Sequence, residues 1–535
     1  MPVADTNNVQ VCDDDERRGL LSNVDGDVED QAPTPPNTSP SKCQLQRKWK
    51  LASLAVVVLF VLGGALYAGL RRAPFPSRPD NGRDGGRNTL FSNGTHQFKR
   101  TVILISIDGL RADYLDRGLT PHLLDISKQG IRAKYMKPIF PTLTFPNHWT
   151  LMTGLYAESH GIVANNFWDP VSDTEFMYNR VESAWNASWW WGEPMWETAG
   201  HAGVKTANLM WPGPPTTLTD ASPTYFVPWR DKVPMQEKLD QILEWLDIDD
   251  VEQRPQMILA YEPSLDQAGH ATGPMSALVN QTLLEVDIFA RNLHTALIQR
   301  NLSSIADVIF VSDHGMGDTS HVEWIYVDDE SILGSGADST DPTWSSVTHY
   351  DGWPSMGLRF HSEVDQHLVL EKLVRAAQDE RYVGKFDVYV TDTYEGGGYV
   401  TESIRMPSRY HFSSSERIAP IWIVPRIGYA LTTKEMGEDG MSIGNHGYDN
   451  EEPSMGAIFV AHGPFSTGAK ALSHRSTESN LAGEHWHSIT DNAYVMPGFP
   501  NVEIYNLIMR LLDIEDWAAR TNGTSGFWDA YVDDS

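Results

Sequence analysis

Apolar positions in this chain fall into distinct textures, and each predicts a different element. Residues 49–70 are an almost unbroken series of Leu, Val, Ala and Gly, long enough to cross a bilayer as one helix. Shorter continuous runs stand at Thr101-Val-Ile-Leu-Ile-Ser-Ile107, at 257–261 and at 308–311. Runs of that length predict strands buried on both faces of a parallel sheet. Residues 276–299 instead space Leu, Val, Ile and Phe at helical intervals. Strand and helix alternate, which predicts an α/β domain with a mostly parallel sheet flanked by helices.

The polar stretches divide the rest of the chain. Residues 1–46 are rich in Asp, Asn, Pro and Ser, too polar to bury a core, and read as a disordered tail. Arg47, Lys48 and Lys50 precede the apolar segment and Arg71 and Arg72 follow it, so 47–72 reads as a single transmembrane helix with basic flanks rather than a core helix. The long polar tail ahead of it argues against a cleaved signal peptide. Residues 73–98 form a flexible stalk, 99–515 a catalytic domain and 516–535 a C-terminal tail.

Basic residues on both sides, including Arg78, Arg83 and Arg87, leave the orientation open by charge alone. Glycosylation sequons at Asn93, Asn186, Asn280, Asn301 and Asn522 all follow the anchor, although Asn37 shows that the pattern also arises in the tail. They predict a type II protein with a cytosolic N-terminus and a lumenal or extracellular catalytic domain. Glu16-Arg17-Arg18-Gly19-Leu20-Leu21 has the form of an acidic dileucine signal for a sorting adaptor. Chance hydrophobics in a tail are the competing explanation, so plasma membrane and vacuole or endosome both stand. Cys43 beside the membrane is either a palmitoylation site or a spare cysteine.

Charge narrows the partners. The formal net charge of −30 argues against non-specific nucleic-acid binding, so no polymeric nucleic-acid partner is expected, because neutralising phosphates needs a basic face. It does not exclude a small phosphate substrate, since bound divalent metals outweigh diffuse surface charge locally. Both cysteines, Cys12 and Cys43, precede Leu51, so no disulfide framework holds the later part together.

Against that background, short clusters of carboxylates, imidazoles and hydroxyls stand out: Ser106-Ile107-Asp108-Gly109, Thr142-Leu143-Thr144-Phe145-Pro146-Asn147-His148, Asp266-Gln267-Ala268-Gly269-His270, Ser312-Asp313-His314-Gly315 and Asn445-His446-Gly447. Several follow strand-like runs, the usual place for a site on an open α/β sheet. Asp108 and the Asp313-His314 pair each follow a strand and precede a glycine, while a compact turn around Gly269 would aim Asp266 and His270 inward. Any one cluster alone is better explained as a turn or a satisfied histidine. Together, three Asp and three His give mixed nitrogen and oxygen ligation, which suits zinc better than magnesium. Divided between two neighbouring metals, they fit in-line phosphoryl displacement. Pro146 marks a helix start, and a helix N-terminus attracts phosphate. A threonine there is either a nucleophile or an N-cap, and spacing alone does not choose between Thr142 and Thr144.

These residues resemble the nucleotide pyrophosphatase/phosphodiesterase family of the alkaline phosphatase superfamily. The most specific stretch is 141–166, PTLTFPNHWTLMTGLYAESHGIVANN, with further agreement at Trp211-Pro-Gly, Ser415-Glu-Arg-Ile418 and Asn501-Val-Glu-Ile-Tyr-Asn506. The resemblance is to a fungal-type single-pass membrane member, and it implies an alkaline-phosphatase-like fold with two Zn2+ ions. One would be held by Asp108, Thr144, Asp313 and His314, the other by Asp266, His270 and His446. It makes Thr144 the nucleophile, sets Asn165 on a phosphate oxygen, and places Tyr261 and Trp229 in the substrate pocket, Trp229 either stacking on a base or filling the core. It implies hydrolysis of nucleoside triphosphates, dinucleotides or 5′-phosphodiesters to nucleoside 5′-monophosphates. Asp-Gln-Ala-Gly-His departs from the family's commoner Asp-Ser-Ser-Gly-His, with the ligands intact. The chain lacks the cysteine-rich and nuclease-like domains of the multidomain animal members. A choline phosphodiesterase of the same family and an inactive surface protein on this fold are the alternatives.

Overall fold

In the computed structural model, the run at Thr101–Ile107 becomes strand β1, every residue of it buried. The structure describes residues 89–335, 343–398, 400–438, 442–478 and 494–532. The proposed anchor at 47–72 and the Glu16, Leu20 and Leu21 signal lie outside the described residues. No helix among the described residues is long and apolar enough to cross a membrane.

Around β1 lie β2 (Ile131–Ala133), β3 (Thr206–Leu209), β4 (Tyr225–Val227), β5 (Met257–Glu262) and β6 (Ala306–Val311). A smaller sheet follows, from β7 (Val347–Asp351), β8 (Met356–Phe360), β9 (Phe386–Val390) and β10 (Ile421–Pro425); then β11 (Phe459–His462) and β12 (Val495–Met496) return to the first. The main sheet has eight strands in the order β12-β2-β11-β6-β1-β5-β3-β4. β1 pairs in parallel with both β5 and β6, as two-sided burial requires. β11 alone is antiparallel to its neighbours β6 and β2. The small sheet, ordered β7-β8-β10-β9, is antiparallel throughout and packs its own apolar cluster.

Helices cover the main sheet on both faces, and separate apolar clusters fill the two sides. The helix expected over 276–299 is α4 (Ala277–Gln299), and Ser276 caps it by accepting the Val279 N–H at 3.1 Å. α1 (Pro121–Gln129), α2 (Thr144–Thr153) and α3 (Ser264–Thr272) precede it. β1, β5 and β6 point their C-terminal ends the same way, and the functional clusters follow those ends.

Candidate two-metal site

Sheet register brings the first carboxylates together. Asp108 follows β1 and Asp313 follows β6, and the parallel pairing of these strands aligns their ends. Gly109 turns the chain with φ +66, and a Cβ there would lie 3.1 Å from Asp266 Oδ1, so the turn fits only the bare backbone of glycine. His314 Nε2 then lies 3.3 Å from Asp108 Oδ1 and 3.0 Å from Asp313 Oδ2.

Asp266 and His270 sit on α3 rather than on the compact turn expected from Gly269. Residues four apart share a helix face, so both still point into the site. Gly269 serves packing instead: a Cβ there would meet Met316 Cε at 2.9 Å. Opposite α3, the short strand Gly444–Asn445 supplies its Gly444 carbonyl to His270 Nδ1 at 2.7 Å and delivers His446 next in sequence. His446 Nδ1 bonds the Thr142 carbonyl at 2.8 Å. With their Nδ1 atoms held by carbonyls, both rings turn Nε2 inward, and these two atoms stand 3.1 Å apart. His446 Nε2 is also 3.6 Å from Asp266 Oδ1.

The third wall is the first turn of α2. Leu143 is its N-cap residue and Thr144 its first helical residue, so the hydroxyl of Thr144 is not an N-cap. That hydroxyl lies 3.2 Å from His314 Nε2. Thr142, the other candidate, accepts the Gly447 N–H at 2.8 Å and donates to the Tyr448 carbonyl at 3.1 Å. Its hydroxyl is a framework group. Asn165 Oδ1 accepts the Phe145 N–H at 3.1 Å, which sets its amide against the same helix turn as Thr144. Asn147 braces the preceding loop, bonding the Ile139 N–H and the carbonyls of Pro141 and Leu143.

The electrostatics of the site follow from its crowded, buried carboxylates. Asp108 Oδ1, Asp266 Oδ1 and Asp313 Oδ2 are buried, and among the described residues no well-aligned donor reaches them; only imidazole nitrogens approach, at 3.0 to 3.6 Å. Burial, then the charges of Asp313 and Asp266, push the Asp108 carboxyl well above its usual range. Burial would also raise Asp313, but the His314 and His148 rings overcome it and hold that carboxyl well below. Burial opposes charge on His314, yet Asp313 keeps its ring above the ordinary imidazole value. Anionic oxygens packed so closely fit cations between them. Two groups of side chains can each hold a metal ion, Asp266 with His314 and His446, and Asp108 with His148 and Asp313, the offered atoms lying within 4.8 Å of one another.

Comparison with known proteins identifies the scaffold. The family model described as type I phosphodiesterase/nucleotide pyrophosphatase matches residues 102–449. The chain belongs to that family. An uncharacterized pyrophosphatase/phosphodiesterase of Schizosaccharomyces pombe is 38% identical over 438 residues, covering 81% of each chain. Ectonucleotide pyrophosphatase/phosphodiesterase 2 of Saccharomyces cerevisiae is 30% identical, covering 81% of this chain and 86% of its own. Mouse ectonucleotide pyrophosphatase/phosphodiesterase family member 3 is 33% identical, but the match spans only 43% of that longer protein. A solved murine ectonucleotide pyrophosphatase/phosphodiesterase 5, an inactive threonine-to-alanine variant in complex with AMP, superposes with TM-score 0.65 at 27% identity, covering 81% of this chain and 99% of that one.

As a member of this phosphodiesterase/nucleotide pyrophosphatase family, the chain is a hydrolase with a candidate bimetallic centre. The sequence had not singled out His148, four residues after Thr144. Its Nδ1 lies 2.9 Å from the Thr144 carbonyl and 3.3 Å from Asp313 Oδ2, and its Nε2 lies 2.9 Å from Ser106 Oγ. Both nitrogens have partners, so the ring braces Asp313. The helical i to i+4 spacing from Thr144 was the available signal. Tyr261 is buried and donates its hydroxyl to Asp108 Oδ2, beneath the carboxylate. Trp229 is half-buried with its ring centroid 5.7 Å from that of Tyr261.

Proposed function

We propose that this protein is a zinc-dependent nucleotide pyrophosphatase/phosphodiesterase that releases nucleoside 5′-monophosphates through a covalent threonine intermediate. The observation that carries this reading is the cluster of buried carboxylate oxygens on Asp108, Asp266 and Asp313, facing the inward nitrogens of His270, His314 and His446. Mixed oxygen and nitrogen donors in that number suit two zinc ions. Asp108, Thr144, Asp313 and His314 would hold one, and Asp266, His270 and His446 the other. Bound there, the pair supplies charge that stabilises the attacking and leaving oxygens of an in-line displacement and lowers the proton affinity of a ligating hydroxyl or water.

The chain's own groups do the rest. Thr144 Oγ1, held at the first turn of α2, attacks the α-phosphorus while the leaving pyrophosphate or alcohol departs on the far side. The N–H groups of that helix turn attract the phosphate oxygens, and the Asn165 amide is set to orient one of them. Water then attacks the phosphorus of the nucleotidyl-threonine in line, the P–Oγ1 bond breaks, Thr144 Oγ1 regains a proton, and the monophosphate is released. Tyr261 steadies Asp108, and Trp229, half-buried against Tyr261, stacks on the base in this reading. We further infer a type II orientation with this domain facing the lumen or the exterior, from the apolar segment at 49–70 and the sequons beyond it.

Thr144→Ala should lower turnover of a nucleoside 5′-phosphodiester by at least about 10³-fold while metal content holds. Retained activity in that variant removes Thr144 as the nucleophile. Wild-type protein that prefers a choline phosphodiester would assign the lipid activity instead. No turnover of either, with zinc supplied, would make it an inactive surface protein.

A further inference from the structure

The sequons are not equivalent in the folded protein. Asn93 is only 9% exposed. Its Oδ1 accepts from the Thr95 N–H at 3.0 Å, the Thr95 hydroxyl at 3.0 Å and the His96 N–H at 2.8 Å, and its Nδ2 donates to the Arg300 carbonyl at 2.9 Å. Asn301 Nδ2 returns a bond to the Asn93 carbonyl at 3.1 Å, closing a clasp between the end of α4 and the strand pair at Phe91–Ser92 and Gln97–Phe98, so the last part of the expected stalk packs on the domain. Asn280 is half-buried on α4, its Oδ1 held by Arg117 at 2.6 Å.

Asn186 and Asn522 differ. Both are exposed. Each uses only its oxygen, Asn186 on the Ser188 N–H at 3.1 Å and Asn522 on the Tyr156 N–H at 2.9 Å, and neither Nδ2 bonds any described residue. The amide nitrogen is the atom that carries a glycan. We propose that Asn186 and Asn522 are N-glycosylated and that Asn93 is an unmodified structural asparagine, an assignment that rests on the lumenal or extracellular orientation.

In the transfer, Asn Nδ2 loses one proton and bonds to the anomeric carbon of a lipid-linked oligosaccharide, and the carbon–oxygen bond to its lipid pyrophosphate breaks. At Asn93, only 9% exposed, a sugar ring replacing the second Nδ2 hydrogen would have to open the packing around the side chain, leaving buried polar groups unpaired. A chain modified there cannot close this clasp, so the folded population lacks that glycan. Asn522 lies against the far end of α2, where its N–H meets the Gly154 carbonyl at 2.8 Å. A ten-residue helix puts about 15 Å between that end and Thr144, so the glycan stands clear of the site.

The test is glycopeptide mapping of the full-length protein from a eukaryotic secretory host, deglycosylated enzymatically in heavy-oxygen water so that each occupied asparagine becomes labelled aspartate. Label is expected at positions 186 and 522 and absent at 93. Asn186→Gln and Asn522→Gln should each remove one glycan's mass with kcat/KM within about twofold of wild type. Label at position 93 in folded protein, or its absence at 186 or 522 with label elsewhere beyond the anchor, overturns the assignment and leaves the orientation standing. Label at no sequon beyond the anchor overturns both.

Discussion

Asp307 and Asp313 stand near opposite ends of strand β6, about 20 Å apart at the usual rise per residue, and both are buried. At Asp307, burial pushes the carboxyl up to about 7, and the Phe465 N–H at 2.8 Å and Arg100 only moderate it. At Asp313, the His314 and His148 rings reverse the effect of burial. One end of the strand tolerates an acid that is most stable when neutral. The other keeps its acid ionised beside two more buried carboxylates. The difference separates a structural aspartate from one arranged to meet a cation: burial is common to both, and the neighbours decide.

The strongest way to break this contrast is Asp313→Asn. It removes an anionic oxygen from the candidate metal group, and metal content and turnover should both fall, turnover by at least about 10³-fold, in metal analysis and steady-state assays. Next is His148→Leu, which removes the ring bracing Asp313 and the Thr144 carbonyl. A loss of about 10- to 100-fold in metal affinity or activity is expected, the usual range for groups supporting a ligand. An unchanged metal titration would show that Asp313 is held without it.

Smaller effects sharpen the structural side. Buried His160, between Thr150 Oγ1 and the Ile162 N–H, is pushed down to about 3 by desolvation. Its unfolded value is about 6.5, so the unfolded chain binds the extra proton between these limits. Stability from this group is present above about pH 6.5 and is lost as pH falls toward 3; His160→Gln should flatten that limb in denaturant melts. Asp307 has the opposite sign. Its folded value is raised, so stability declines as pH rises from about 4 through about 7. Asp307→Asn should stabilise the protein at pH 8 by about 1–3 kcal/mol, and little at pH 4.

Much of this was legible before the fold. The continuous apolar runs became β1, β5 and β6, and the helical spacing at 276–299 became α4, because two-sided burial and amphipathic periodicity leave direct marks on sequence. The small antiparallel sheet of β7 to β10 left a weaker mark. β9 alternates buried and half-buried residues and pairs only with β10, at the sheet's edge, rather than with its neighbour in sequence, β8. The turn expected at Gly269 is a helix because packing against Met316 decided the glycine, not backbone freedom. His148 and the role of Thr142 were hidden because their meaning depends on partners more than a hundred residues away, Asp313 and Gly447. Other recurring motifs carry the frame rather than the chemistry: Arg417 pairs with buried Asp169, and Asn501 Nδ2 bonds Asn147 Oδ1 at 2.9 Å.

The central claim is that Thr144 carries the nucleotidyl group between two displacements. Rapid quenching of the zinc-loaded enzyme during turnover of a labelled nucleoside 5′-phosphodiester, followed by peptide mapping, reads it directly. The account predicts labelled mononucleotide on Thr144 and on no other side chain. Label on Thr142 or elsewhere, or direct hydrolysis with inversion at phosphorus and no labelled peptide, would contradict it.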